Sequence, residues 1–284
     1  MKQIIKTSLV KGFSLLGLQA EFHKKKRDTD IVFFDKNTLE YFQQDHPRMV
    51  LYREGLAKSG MEWVDNFPLQ CRMYSLQQMA ESAARKNIDG EFAECGCWKG
   101  HSAYIISKIL ARHGFSKSFH IFDSFEGGLS DKTSEDVSDY ARQTKEEAEF
   151  EKNWFASTIE DLKNALSGFD FIEIYKGWIP DRFHEVEQKR FAFVHVDVDL
   201  YQPTLDSLKF FYPRLLPGGV IVVDDYGYSV FPGAKRPWMN FCEALTVRSF
   251  MKRRWEAASS SNDGDWSDDD SKIAPEERGL CHRK

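Results

Sequence analysis

Apolar residues recur at spacings of three and four between Asn37 and Asn87, with Leu69, Met73, Leu76, Met79 and Ala83 on one face. That period predicts helical structure. Beyond it the pattern changes to short β-rich runs, Glu91–Cys95, Phe119–Asp123, Phe171–Tyr175, Ala192–Asp197 and Gly219–Asp224, separated by longer amphipathic stretches. The predicted helices among those stretches cover Ser102–His113, Glu146–Ser167 and Pro203–Leu215. Parallel neighbours need helical crossovers, so the alternation predicts an α/β fold with a doubly wound, mostly parallel sheet. Pro217-Gly218-Gly219 reads as the turn that stops the last of these helices and starts the fifth strand.

Three regions follow: an N-terminal helical cap over residues 1–75, a core domain over 76–235 and a divergent tail over 236–284. Met1 to Leu18 is apolar but interrupted by Lys2, Lys6 and Lys11. This leaves no run long enough to span a membrane and no clean signal peptide. An amphipathic helix is expected there, docking on the protein itself, covering a homo-oligomer interface or making weak contact with a membrane surface, in that order. The long acidic loop from Ser124 to Glu151 is expected to hold a lid or a helical insertion.

The chain has 284 residues, 42% hydrophobic and 29% charged, an ordinary globular balance. A formal charge of −5 argues against a nucleic-acid surface, and the basic run Lys24-Lys-Lys-Arg27 reads as a solvated linker. The five cysteines show no CxxC spacing, which fits a reduced, cytoplasmic compartment better than a disulfide framework or a zinc site.

Chemistry concentrates at predicted strand ends. Asp197 and Asp199 follow one buried strand, and Asp224 and Asp225 follow the next. If those strands are parallel neighbours, four carboxylates meet at one sheet edge and repel one another unless a cation joins them. Ligands of open α/β sheets bind outside the carboxyl ends of the strands. At the first strand–helix junction, Glu94-Cys-Gly96-Cys-Trp-Lys-Gly100 removes side chains where a nucleotide-like ligand would approach, yet lacks the GxGxxG spacing of a dinucleotide site. Asp123, ending the second strand, stands where a carboxylate can accept both hydroxyls of a ribose or cap a turn. His195 reads as a packed histidine, and Trp178 and Tyr226 as aromatics that either pack or stack on a ligand.

Taken together, Gly90-Glu-Phe-Ala-Glu94-Cys-Gly96-Cys-Trp98-Lys-Gly100, Asp123-Ser124-Phe-Glu-Gly127, Lys176-Gly-Trp178, Asp197-Val-Asp199-Leu-Tyr201 and Pro217-Gly-Gly-Val-Ile-Val-Val-Asp224-Asp225-Tyr226 resemble the macrocin O-methyltransferase family over roughly residues 70 to 235. The resemblance implies a Rossmann-like methyltransferase sheet and a reaction that uses S-adenosyl-L-methionine and Mg²⁺ on a sugar hydroxyl. It implies cofactor contacts from Glu94, Gly96, Gly100, Asp123, Ser124 and Trp178, metal ligation by Asp197, Asp224 and Asp225, and Asp199 as general base. The expected acceptor is a natural-product glycoside or a sugar-nucleotide or polysaccharide precursor. The rival readings are a non-catalytic cofactor-binding relative and a metal-dependent catechol-type methyltransferase.

The resemblance fades after Phe231-Pro-Gly-Ala-Lys235. Where the family continues as AKKAVDEF, this chain has AKRPWMNF, and deleting one adenine from the lysine codons converts the first into the second. Residues from about Arg236 onward are therefore expected to be a frame-shifted or divergent tail, with two C-terminal strands missing and the fifth strand left as an open, aggregation-prone edge.

Overall fold

The computed structural model describes residues 19–24, 29–34, 45–137, 144–226, 231–237 and 281–282. The expected helix over residues 1–18, the start of the helical segment at 37–44 and nearly all of the tail after Arg236 lie outside them.

The chain divides into two units, residues 1–54 and 55–284. The first contains an antiparallel pair, β1 (Gln19–Lys24) and β2 (Thr29–Phe34), in register from Gln19↔Phe34 to Lys24↔Thr29. The region expected as a helical cap therefore also contains a strand pair. The alternating Ala-Glu-Phe-His segment and the β-branched and aromatic Ile-Val-Phe-Phe run carried the strand signal, and Lys24 is the last residue of β1. Helix α1 (Pro47–Ser59) runs across the boundary between the units.

The second unit carries α2 (Phe67–Arg85), β3 (Glu91–Cys95), α3 (His101–Arg112), β4 (Phe119–Asp123), α4 (Lys145–Trp154), α5 (Ile159–Ala165), β5 (Ile172–Lys176), β6 (Phe191–Val196), α6 (Tyr201–Phe211), β7 (Leu215–Val223) and β8 (Cys281–His282). The strands form one sheet in the order β5-β4-β3-β6-β7-β8, parallel except for β8. The order reverses between β3 and β6, which creates the crevice where such sheets bind ligands.

Side-chain alternation along β3 and β6 builds two apolar layers. Ala93, Cys95, Val194 and Val196 pack with Leu208 and Phe211 of α6 and with Phe183 and Val186. Phe92 and Phe193 stack on the other face, 5.2 Å apart. Helix α2 packs on α3, β6 and β7. It starts at Asn66, whose side chain accepts from Leu69 N, and buries Met73, Leu76, Ala80 and Ala83.

Two sequence-based boundaries move. The single helix expected over Glu146–Ser167 is broken at Trp154, because Thr158 caps a new helix by accepting from Asp161 N. Strand β7 begins at Leu215, so Pro217-Gly218-Gly219 lies inside it, with the pairing to β6 shifting register between Phe191 and Phe193. The motif is an irregularity within a strand and does not start one. Beside β7, Val220 and Ile221 pair with His282 and Cys281, so the edge expected to be open carries a two-residue strand.

Candidate active site

The ladders continue past the strand ends and set the loops of the site at one edge. Asp197 N donates to Cys95 O at 2.8 Å, Asp224 N to Val196 O at 2.9 Å, Gly96 N to Phe122 O at 2.8 Å and Gly177 N to Asp123 O at 3.0 Å. Residues 96, 123, 177, 197 and 224 therefore leave the sheet side by side.

The β3–α3 loop is fixed by sterics and by one carboxylate. Gly96 has φ +79°, and a Cβ there would stand 1.9 Å from Asp197 O, so no side chain fits. Gly100, at φ +90°, opens α3 against Leu162. Asp123 Oδ2 accepts from Cys97 N at 2.9 Å and Trp98 N at 3.0 Å, and Oδ1 accepts from Phe125 N at 3.1 Å. A carboxylate offers about four lone-pair sites. Three backbone bonds leave Asp123 with room for about one further donor.

Glu94 and His195 face each other across β3 and β6, Oε1 to Nδ1 at 2.8 Å, both fully buried. Burial raises the Glu94 carboxyl above its ordinary value, against the opposing bonds from His195 and Ser102. His195 Nε2 is buried without a hydrogen-bond partner among the described residues and lies 3.8 Å from Asp224 Oδ1. The packed histidine of the sequence reading thus borders the carboxylate cluster.

The four aspartates do come together, in two overlapping groups. Asp197 joins Asp199 and Asp225 on one side and His195 and Asp224 on the other, with potential ligand atoms within 4.8 Å of one another in each group. Asp225 Oδ2 accepts from Asp199 N at 3.0 Å and so holds Asp199 at φ +60°, a left-handed conformation that Asp adopts more readily than most residues. Burial, followed by the charge of Asp197, pushes the Asp199 carboxyl well above its ordinary value. Burial, followed by Asp199 and Asp197, does the same to Asp225. Without a bound cation the cluster resists full ionisation. Hard oxygen donors with one neighbouring imidazole suit a small divalent cation, so the residues present fit Mg²⁺.

Two cavities meet at this cluster. One, of about 170 Å³, is lined by Gly96, Trp98, Asp123, Ser124, Leu129, Trp178, Asp197 and Asp199, among others. The second, of about 250 Å³, shares Gly96, Trp98, Phe155, Asp197 and Asp199 and adds Leu69, Arg72, Met73, His101 and Trp154. Of the sequence candidates, Gly96, Asp123, Ser124, Trp178, Asp197 and Asp199 line a cavity, whereas Glu94, Gly100, Asp224 and Asp225 support the site from behind. The Trp98 indole N–H is buried without a partner among the described residues, an unused donor in the wall common to both cavities.

The described parts of the 124–151 loop hold a helical insertion, α4 from Lys145, and are tied to their neighbours. Asp136 Oδ1 accepts from Tyr201 N at 2.6 Å at the start of α6 while Oδ2 accepts from Thr133, and Lys132 pairs with Glu151. Sequence reasoning missed Arg72 and the aromatic wall. Arg72 borders the buried stripe of α2, immediately before Met73, which was the available signal.

The sheet order, the Gly96 turn and the crevice over β3 and β6 define a Rossmann-like fold of the methyltransferase class. The solved O-methyltransferase NovP shares that fold, with a TM-score of 0.52 and 24% identity, covering 69% of this chain and 82% of that one. The chain belongs to the macrocin O-methyltransferase (TylF) family, whose model matches residues 2–254, beyond both ends of the stretch that the motifs alone delimit. Among its relatives, the demethyldecarbamoylnovobiocin O-methyltransferase of Streptomyces niveus is 27% identical over 183 residues, 62% of this chain and 68% of the relative. The 8-demethyl-8-(2,3-dimethoxy-alpha-L-rhamnosyl)-tetracenomycin-C 4'-O-methyltransferase of Streptomyces olivaceus is 29% identical over 161 residues, 55% of this chain and 60% of the relative. The chain thus spans between 60% and 68% of the length of these two relatives. No helix among the described residues is long and apolar enough to cross a membrane.

Proposed function

We propose that the chain is an S-adenosyl-L-methionine- and Mg²⁺-dependent O-methyltransferase acting on a sugar hydroxyl of a natural-product glycoside or of a related saccharide precursor. The observation that carries this reading is the meeting of two cavities at Asp197 and Asp199, one bordered by the Gly96 turn and Asp123 and the other by Arg72 and Trp154. Family membership supports methyl transfer, and the rhamnosyl group named in one relative supports a sugar acceptor.

In this reading the first cavity takes the cofactor. Gly96 gives it close backbone approach, Asp123 and Ser124 meet its ribose, and Trp178 flanks it. Glu94 and Gly100 act at a distance, the first by holding His195 and the second by opening α3. The second cavity takes the acceptor. Asp199 borders both, so it receives the proton from the acceptor hydroxyl as the oxygen bonds to the methyl carbon and the carbon–sulfur bond breaks, with S-adenosylhomocysteine leaving as a neutral thioether. Asp197, Asp224 and Asp225, the ligands the family resemblance implies, would hold the cation, with Asp197 common to both carboxylate groups, and a bound cation would supply Lewis-acid stabilisation of the developing negative oxygen. Phe155 and Trp98 line both cavities and limit water around the reacting atoms. The N–H of Asp199 bonded to Asp225 ties the base to a cation ligand, so both are positioned together.

Equilibrium binding of S-adenosylhomocysteine to the full chain tests the cofactor half of this reading. Saturable one-to-one binding that weakens at least tenfold in Asp123→Ala is expected. Failure to bind contradicts it.

A further inference from the structure

The positive charge set among the four aspartates comes from helix α2. Arg72 Nη2 bonds to Asp224 Oδ2 and lies 3.6 Å from Asp197 Oδ1, bridging carboxylates that follow two neighbouring strands. Both belong to the donor set assigned above to the divalent cation. A guanidinium held between them occupies the electrostatic position that the cation requires. Its charge also reaches the rest of the cluster, since Arg72 opposes the upward displacement of both the Asp199 and Asp225 carboxyls.

The Arg72 side chain is 35% exposed and forms part of the wall of the second cavity. Asp224 is held differently. Its side chain is 5% exposed, with the buried His195 Nε2 at 3.8 Å, so it has far less room to move than Arg72.

We propose that Arg72 is a built-in surrogate for the divalent cation. It neutralises Asp197 and Asp224 in the metal-free protein and competes with the metal for them. Binding of the metal releases its guanidinium into the acceptor cavity. The inference rests on the metal reading of the site. In a competition of this kind the observed metal affinity is reduced by the fraction of molecules in which Arg72 holds the carboxylates. A permanent bracing role, in which Arg72 orients Asp224 for the metal, predicts the opposite sign.

The test is isothermal titration of Mg²⁺ into the chelator-treated full chain, comparing the natural sequence with Arg72→Lys and Arg72→Gln. Arg72→Gln is expected to bind Mg²⁺ about tenfold more tightly or better, with Arg72→Lys in between, while its metal-free form melts at a lower temperature. Equal or weaker binding in Arg72→Gln overturns the role of Arg72 and leaves the metal site standing. Absence of Mg²⁺ binding in every chain overturns the metal reading and this inference with it. A second readout needs no folded variant: in the natural chain, the NMR signal of the Arg72 Nε–H shifts on addition of Mg²⁺, and a signal that stays in place contradicts the release.

Discussion

Asp225 accepts the backbone N–H of Asp199 at 3.0 Å, so a proposed metal ligand holds the proposed base in its left-handed turn. Both carboxyls are displaced upward, mainly by burial. Asp225→Asn therefore removes a charge that the metal-free protein accommodates poorly. We expect its thermal midpoint in EDTA to be equal to or above that of the natural chain, while methyl transfer falls by about two orders of magnitude or more. Calorimetry in EDTA and a transfer assay check the two halves separately.

Asp199→Asn keeps the size of the side chain and tolerance of positive φ. It removes only the proton acceptor. A drop in kcat of about 10²–10⁴ is expected, with cofactor affinity changed less than about threefold, because the lost group acts on the proton in flight. Stopped-time transfer assays and cofactor titration give both numbers.

Gly96→Ala places a methyl 1.9 Å from the Asp197 carbonyl oxygen and demands φ +79° of a residue with a Cβ. Either the β3–α3 loop or the β6 exit must move, at a cost of about 1–3 kcal/mol. Loss of S-adenosylhomocysteine binding with a lower thermal midpoint is the expected result.

Trp63 lies edge-on to Trp98 at 6.0 Å and to Trp154 at 4.9 Å, and Trp63 and Trp154 are 53% and 45% exposed. Exposed aromatic area beside a cavity marks a contact for ligand bodies. Trp63→Ala and Trp154→Ala are expected to raise the acceptor KM several-fold while leaving cofactor affinity unchanged. A rise in cofactor Kd instead contradicts the assignment of the two cavities.

The lower part of the sheet holds an acid-sensitive cluster. His120 bonds to Glu91 and, at 2.9 Å, to the Tyr175 hydroxyl, and Lys189 bonds to Glu91 at 2.8 Å. Burial lowers the His120 pKa in spite of Glu91, so the imidazole is neutral in the fold and resists protonation below its ordinary 6.5. Burial alone would raise the Glu91 carboxyl, but the bonds from Lys189 and His120 together bring it below its ordinary 4.5. A depressed histidine removes stability as pH falls below its unfolded value. A depressed carboxyl contributes stability that is present above its unfolded value and lost as pH falls through its folded one. These two contributions share a sign, while the raised Glu94, Asp199 and Asp225 carboxyls contribute the opposite one, so the histidine is read as a difference: as pH falls below about 6.5 the natural chain loses thermal midpoint relative to His120→Asn.

Much of the core was legible because its signals are local. The β3 and β4 boundaries coincide with the β-rich runs that predicted them, and the Asp197/Asp199 and Asp224/Asp225 pairs fall at adjacent strand ends because parallel strands share a direction. The partners of those residues were hidden, because they depend on tertiary approach. Nothing near Asp123 in sequence announces that Cys97 and Trp98 use about half of its acceptor capacity. Nothing near Asp224 announces Arg72, 152 residues earlier. The β1–β2 pair was obscured by a neighbouring helical period, and the break between α4 and α5 by a threonine cap inside a helix-like stretch.

The most direct measurement incubates the full chain with isotopically methyl-labelled S-adenosyl-L-methionine, Mg²⁺ and a panel of rhamnosides and other glycosides, with product analysis by mass spectrometry. The account predicts a labelled methyl ether on a sugar oxygen that is abolished by EDTA and by Asp199→Asn. Label transferred equally well in EDTA and in Asp199→Asn, or transferred only to a non-sugar hydroxyl, would contradict it.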